Sequence, residues 1–280
     1  MVFNPPQLKV VDKDEIAKWP TVKIAPQRSK EAYIDQARRA GAWFAVLFIG
    51  WLLTRLTCAY DFPPECILSN TALEVLTDLL TLAVFGFCQA WFCEILEERR
   101  FRHLYRQFYF GPIYIFTGII LSLLETTDWW EDMRHDQNYN WGSGMTVFSV
   151  VMVIFIAVIL LWHFAEAWRI LPGAYYISGQ VPVNIVIETN LHRIYNVSRG
   201  LILAYVLLYC AFAIGDDQGW ELHYVLVAFC LSLFAQFKAV PSVVFLAITT
   251  AVWVQGVGAY GVQFLANNNT TQEEELARTA

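Results

Sequence analysis

The stretch ELHYVLVAFCLSLFAQFKAVPSVVFLAITTAVWVQGVGAYGV, residues 221–262, decides the fold of this chain. It is apolar over about 40 residues, twice the length that a helix needs to cross ~30 Å of hydrocarbon at 1.5 Å per residue. Lys238 is the one charged residue of this stretch after Glu221, and Pro241 follows it three residues later. Because proline disfavours a helical conformation in the residue before it, the segment QFKAVPS (236–242) is predicted to be a tight turn between two membrane spans.

Similar apolar windows occur along the rest of the chain, and they extend this interpretation to the whole sequence. Of the 280 residues, 57% are hydrophobic and 16% are charged, against about 25% charged in an average globular protein. The sequence therefore predicts an all-α, polytopic membrane helix bundle of about seven transmembrane helices. The seven windows cover residues 42–60, 72–93, 107–125, 145–168, 199–215, 221–237 and 241–262.

The polar ends of the chain flank this bundle. Residues 1–40 are predicted to form a polar N-terminal tail that carries a short interfacial helix at Glu31–Arg39. Residues 41–262 form the seven-helix transmembrane domain, and residues 263–280 form a polar, acidic C-terminal tail.

The basic residues predict the orientation of the bundle. On this topology sixteen of the 19 Lys and Arg residues lie on the side of the N-terminus, two lie on the opposite side, and Arg55 lies within a span. This bias places the N-terminus inside and, after seven crossings, the C-terminus outside. The membrane is the mitochondrial inner membrane, an endomembrane or the plasma membrane, and the sequence leaves that choice open. The formal net charge of −6 argues against nucleic acid as a partner.

Two opposite charges are predicted to meet within the membrane. Arg55 lies near the outer end of the first span, and Asp78 lies near the outer start of the second. Because a lone charge in hydrocarbon is costly, each should face the bundle and find a partner. The pair either fixes the rotation of the two helices or lies on a pathway for an ion, a proton or a substrate; alternatively, Arg55 extends its charge to the membrane interface.

A second group of polar residues lies on the predicted inner side. It consists of Glu94, His163, Glu166, Glu188 and His192. These residues are a candidate metal cluster, although the Glu-x-x-His motif of di-iron bundles is absent. Alternatively, they form an interfacial polar fringe that pairs with nearby arginines. The sequence predicts no cofactor, and it leaves a haem or a metal ion as an open alternative.

Two further features concern the outer end of the bundle. Cys58 and Cys66 bracket a predicted outer loop and are candidates for a disulfide if that side is oxidising. The sequence GVGAYG at residues 256–261 matches a nucleotide-binding pattern but lies in a membrane span and follows no strand. Gly256, Gly258 and Gly261 are therefore interpreted as a surface that lets another helix approach closely.

No motif for catalysis emerges, so the sequence predicts no catalytic activity of its own. The favoured hypothesis is a non-catalytic integral membrane subunit of a larger assembly, such as an energy-transducing complex of respiratory type. Its partners would be the lipid bilayer and other membrane subunits. The alternatives are a transporter or channel that uses Arg55 and Asp78, and a seven-span receptor.

Overall fold

The fold is that of a helical bundle built around its last helix. The computed structural model describes residues 8–10, 30–60, 66, 72–124, 126–127, 143–170, 175–177, 185–187, 191–213 and 220–261. Eight helices lie within these ranges: α1 (Lys30–Cys58), α2 (Ala72–Phe92), α3 (Glu98–Arg106), α4 (Phe110–Leu124), α5 (Ser143–Ile170), α6 (Leu191–Ala213), α7 (Trp220–Ser232) and α8 (Val240–Tyr260).

Four of these helices, α1, α2, α5 and α8, are long and apolar enough to cross a membrane. The helices α3 and α4 together provide a fifth candidate, although they are bent by 70° relative to each other. Four to five apolar helices fit a protein embedded in a membrane. Each of the seven predicted windows coincides with a helix, but α6 and α7 do not meet the criteria of length and apolarity within the described residues.

The helix α8 occupies the centre of the bundle. Most of its residues are buried, and it packs against α7, α4, α1 and α2. A helix that is apolar on all sides is either buried in protein or faces lipid, and α8 is mostly buried in protein. Trp253 marks this core, because its fully buried ring lies 6.0 Å from the ring of Phe85 and 5.9 Å from that of Phe229, measured between centroids.

The N-terminal region contains one long helix. The helix α1 begins at Lys30 and continues to Cys58, so the expected interfacial helix and the first span are one helix that crosses the predicted boundary at residue 40. The apolar run from residue 42 could not reveal this, because a helix can extend into water on a polar sequence such as EAYIDQARR.

Three short strands qualify the expectation of an all-α chain. They are β1 (Leu8–Val10), β2 (Tyr175–Ile177) and β3 (Ile185–Ile187), and they form an antiparallel sheet in the order β1-β3-β2. In the register of this sheet, Leu8 and Tyr175 both lie opposite Ile187. The aromatic and β-branched residues of β2 and β3 favour strands. The sheet joins the N-terminal tail to the segment between α5 and α6.

A break separates the last two helices, as expected, but it lies slightly earlier in the chain than the predicted turn QFKAVPS. The helix α7 ends at Ser232 and α8 begins at Val240, so the chain between them, residues 233–239, is not helical. We call it the 233–239 segment. Most of it is buried, so its backbone polar groups need partners within the protein.

Candidate functional site

The structure brings Arg55 of α1 and Asp78 of α2 together in an ion pair. The side chain of Asp78 is 2% exposed and that of Arg55 is 10% exposed, so the pair is removed from solvent by the bundle itself. The guanidinium also lies 5.5 Å from the centre of the Trp51 ring, which favours a cation. These contacts balance a charge that would be costly alone in hydrocarbon.

The end of α8 and a disulfide surround this ion pair. Gly261 has a φ of 68°, which favours glycine, and a β-carbon at this position would lie 3.3 Å from Oδ1 of Asp78. Cys58 and Cys66 form a disulfide, and Cys58 packs against Ala259 and Tyr260. This end of the bundle is therefore held by an ion pair, a covalent link and a close backbone contact.

The three glycines of the GVGAYG sequence contact three different helices. A β-carbon at Gly256 would overlap the side chain of Val225 in α7, and one at Gly258 would lie 2.8 Å from Cβ of Thr54 in α1. Gly261 faces Asp78 of α2, as described above. The small residues thus let three neighbours approach α8 closely, which is how helices associate in lipid.

A small, mainly apolar cavity with a few polar side chains in its wall lies between α1, α4 and α8. Its volume is about 20 Å³, which is enough for one water molecule, and Thr54, Thr57, Tyr114 and Gln255 are among its lining residues. The hydroxyl of Tyr114 is buried and has no hydrogen-bond partner among the described residues. A water molecule in this cavity would satisfy it.

On the opposite end of the bundle, two buried arginines satisfy the backbone of the 233–239 segment. Nη2 of Arg100 donates to the carbonyl of Ala235 at 2.9 Å, and Nη1 donates to that of Phe237. Nε of Arg199 donates to the carbonyl of Leu233 at 3.2 Å. Buried backbone carbonyls outside a helix need donors from within the protein, and these guanidinium groups supply them.

Other side chains complete this arrangement. The hydroxyl of Tyr195 donates to the carbonyl of Phe234 at 2.7 Å, and Nε2 of His103 lies 2.7 Å from the carbonyl of Lys238. Nη2 of Arg199 also donates to the carbonyl of Phe92 at 2.7 Å, at the C-terminal end of α2. A positive charge at this end of a helix is favoured by the helix dipole.

Glu94 lies beside these arginines in the turn after α2. Its φ of 57° is unusual for a residue other than glycine. The amide of Ile95 donates to the carbonyl of Ala90 and the amide of Glu94 donates to that of Trp91, which is the Schellman pattern of a helix end. The Glu94 carboxylate accepts a hydrogen bond from Gln236 in the 233–239 segment. Burial raises the pKa of Glu94 above its ordinary value, and the nearby charge of Glu97 raises it further.

The predicted inner cluster is not brought together as a metal site in the part of the chain that the structure describes. Nδ1 of His163 lies 2.8 Å from the carbonyl of Ile159, and Nε2 lies 3.2 Å from the hydroxyl of Ser242, so both ring nitrogens have partners. Glu166 pairs with Arg169 at 2.6 Å. Among the described residues, no group of three or more His, Cys, Asp or Glu side chains could hold a metal ion.

The remaining members of that cluster lie elsewhere. The ring of His192 packs on that of Trp168, with centroids 4.2 Å apart. Glu94 contacts Gln236, as described above. Glu188 lies outside the described residues.

From the sequence, Arg100 and Arg199 were expected to mark the inner side, and Arg100 was expected to pair with the acidic residues of the polar fringe; their bonds to the 233–239 segment were not predicted. One signal could have identified their role. A break at Lys238 and Pro241 inside an apolar stretch leaves backbone carbonyls without helical partners, so long side chains that carry several donors should lie nearby.

No family model, no curated protein and no solved structure matches this chain.

Proposed function

We propose that the protein is a non-catalytic subunit of a larger membrane assembly, with seven spans, its N-terminus inside and its C-terminus outside. The observation that carries this proposal is the exposure of the side chains in the outer half of α5. There, six consecutive residues, Val150 to Phe155, are all exposed, with exposed fractions between 41% and 66%. Six residues exceed one turn of 3.6 residues, so among the described residues this part of the helix has no close neighbour on any face.

The helix α2 provides the contrast. Its exposed apolar side chains include Leu76, Leu80, Val84 and Phe87, which are spaced three or four residues apart. They form one stripe, whereas Asp78, Leu82 and Gln89 lie buried on the other side. One exposed stripe is what lipid contact alone produces. Exposure on every face of α5 favours a helix of another chain as its neighbour, because helices in lipid gain stability from close packing.

The small sheet supports the same proposal. The strands β1 and β2 are its two outer strands, and within the described residues each pairs only with β3. An outer strand presents backbone donors and acceptors that a strand of another chain can use. On the proposed topology the sheet lies on the inner side, where a partner of an energy-transducing complex would extend beyond the membrane.

The proposed seven spans need a way for α7 to cross. With 13 residues it is about 20 Å long, shorter than the ~30 Å of hydrocarbon. The buried 233–239 segment, whose carbonyls the arginines satisfy, supplies the remaining length. Labelling of cysteines introduced at residues 5 and 275 tests this topology, because the proposal requires the two to react from opposite sides of the membrane.

Site-directed photo-crosslinking in the native membrane tests the assembly. We expect a photoreactive residue at Val153 to crosslink to another polypeptide, and one at Leu80, which has a similar exposed fraction of 62% against 66%, to crosslink to lipid. Purification in a mild detergent should then recover that polypeptide in a fixed ratio. Crosslinks to lipid alone at Val153, together with isolation as a monomer, would refute the proposal.

A transporter or channel is the second candidate, because the Arg55–Asp78 pair lies buried within the bundle. Asp78→Asn keeps the shape of the side chain and removes its charge. If the pair lies on a pathway, this variant abolishes flux in reconstituted vesicles and keeps the fold. Flux equal to that of the unaltered protein would remove Asp78 from any pathway.

A further inference from the structure

A basic cavity lies beside α3, at the inner end of the bundle. Its volume is about 390 Å³, within the range of about 300–1,000 Å³ that is typical of small-molecule sites. Four cations and one carboxylate line it, together with a histidine: Arg99, Arg102, Arg106, Lys238, Glu98 and His103. We call it the basic cavity.

The helix α3 presents its arginines to this cavity in a regular way. Arg99, Arg102 and Arg106 are spaced three and four residues apart, which places them on one face of the helix. Glu98 pairs with Arg102. Arg99, Arg106 and Lys238 form no ion pair with any carboxylate among the described residues. An excess of positive charge therefore remains for a ligand.

The opposite face of α3 fixes the cavity in place. Arg100 and Leu104 are buried on that face, and Arg100 bonds to two carbonyls of the 233–239 segment. The contact between His103 and the carbonyl of Lys238, 2.7 Å, joins the cavity wall to the same segment. These bonds hold Lys238 next to the arginines of α3 before any ligand binds.

The surroundings of the cavity indicate the level of lipid headgroups. Tyr105 and Phe108 are 85% and 86% exposed, and Trp91 at the end of α2 is 60% exposed. The bend of 70° between α3 and α4 turns α3 away from the direction of the spans. Aromatic residues beside cations at the end of a span are typical of the interface between membrane and water.

We propose that the basic cavity binds the phosphate group of an anionic membrane lipid. Guanidinium groups bind phosphate oxygens through paired, charge-assisted hydrogen bonds. The exposed aromatic side chains would lie along the acyl chains and the glycerol of the same lipid. Basic pockets at the inner ends of membrane helices recognise such headgroups, and the fixed position of Lys238 adds a fourth cation from a different part of the chain.

Native mass spectrometry of the full-length protein tests this proposal. The protein in detergent micelles is titrated with dioleoylphosphatidylglycerol, and separately with inorganic phosphate. We expect the double variant Arg99→Gln/Arg106→Gln to bind the lipid about 30-fold more weakly, or about 2 kcal/mol, since each such cation contributes about 1 kcal/mol. The single variant Lys238→Gln should bind about fivefold more weakly for the same reason.

The matched control removes two charges from exposed arginines on the same side of the protein, in the variant Arg38→Gln/Arg193→Gln. We expect the control to bind the lipid as the unaltered protein does. Equal losses in both double variants would overturn the proposal in favour of general attraction between charges. Binding of the lipid by the cavity variant at full affinity would also overturn it. Inorganic phosphate that binds as tightly as the lipid and displaces it would show a site for a soluble phosphate instead.

Discussion

Replacement of Arg100 should destabilise the protein more than any loss of a surface charge, because Arg100 satisfies two buried carbonyls of the 233–239 segment. An unsatisfied buried acceptor costs about 1–3 kcal/mol, so Arg100→Met should lower the free energy of unfolding by about 2–6 kcal/mol. Arg100→Lys keeps the charge but presents a single ammonium group to two carbonyls. We expect this variant to lose about 1–3 kcal/mol, roughly half as much.

The matched control is Arg102→Met, two residues further along the same helix. The side chain of Arg102 is 61% exposed and pairs with Glu98 one turn away. Exposed pairs of this kind contribute about 0.3–0.5 kcal/mol, so this variant should unfold almost as the unaltered protein does. Unfolding in mixed micelles of increasing denaturing detergent, followed by tryptophan fluorescence, measures all three variants.

The thiol of Cys93 offers a second readout for Arg100. It is fully buried and lies 3.2 Å from the carbonyl of Ser232, directly before the 233–239 segment. Because this thiol is not accessible, it should react slowly with a maleimide while the segment stays in place. We expect Arg100→Met to accelerate this reaction. Unchanged stability and unchanged labelling in Arg100→Met would refute the structural role of the guanidinium.

Three further predictions concern other parts of the bundle. Because the pKa of Glu94 is raised in the folded state, the free energy of unfolding should fall as pH rises from about 4.5 through the raised value, and Glu94→Gln should remove that dependence in unfolding titrations across this pH range. Reduction of the Cys58–Cys66 disulfide, which closes a loop with a sequence separation of 8, should cost about 2.5 kcal/mol; a loss of the same size on adding reductant to Cys58→Ser, which has no disulfide to reduce, would contradict this. Gly256→Ala should destabilise the protein by about 1–3 kcal/mol, because the added methyl group meets Val225, whereas Gly118→Ala has open space and should be neutral or stabilising in the same assay.

The positions of the long helices were predictable because apolar helices leave a strong local signal in the sequence. Each span needs about 20 apolar residues in a row, and all seven windows coincide with a helix. The proximity of Arg55 and Asp78 could also be inferred, since two consecutive antiparallel helices place residues at similar distances from their shared outer end at the same depth. Both inferences use information from neighbouring parts of the chain.

The partners of the polar residues on the inner side were not predictable in the same way. Arg100 bonds to a carbonyl 137 residues away, and His163 contacts Ser242 at a distance of 79 residues along the chain. The strand β1 pairs with β3 across almost the whole tail and four candidate spans. No local pattern encodes such pairings. The sequence suggested which groups were costly to bury, and the fold determined which groups satisfy them.

The polar contacts at the two ends of α8 explain how this helix keeps its position at the centre. Lipid is as apolar as a leucine side chain, so burial alone does not fix a helix at one depth or rotation within a membrane bundle. The ion pair beside Gly261 fixes the C-terminal end, and the contacts of Ser242 with His163 and with the amide of Phe237, 3.2 Å each, fix the N-terminal end. A buried ion pair with neighbours packed this closely around it is suited to holding helices in place. The helix α8 thus has neighbours from its own chain along most of its length, whereas residues Val150 to Phe155 of α5 are all exposed, and this difference favours an assembly in which another chain covers α5.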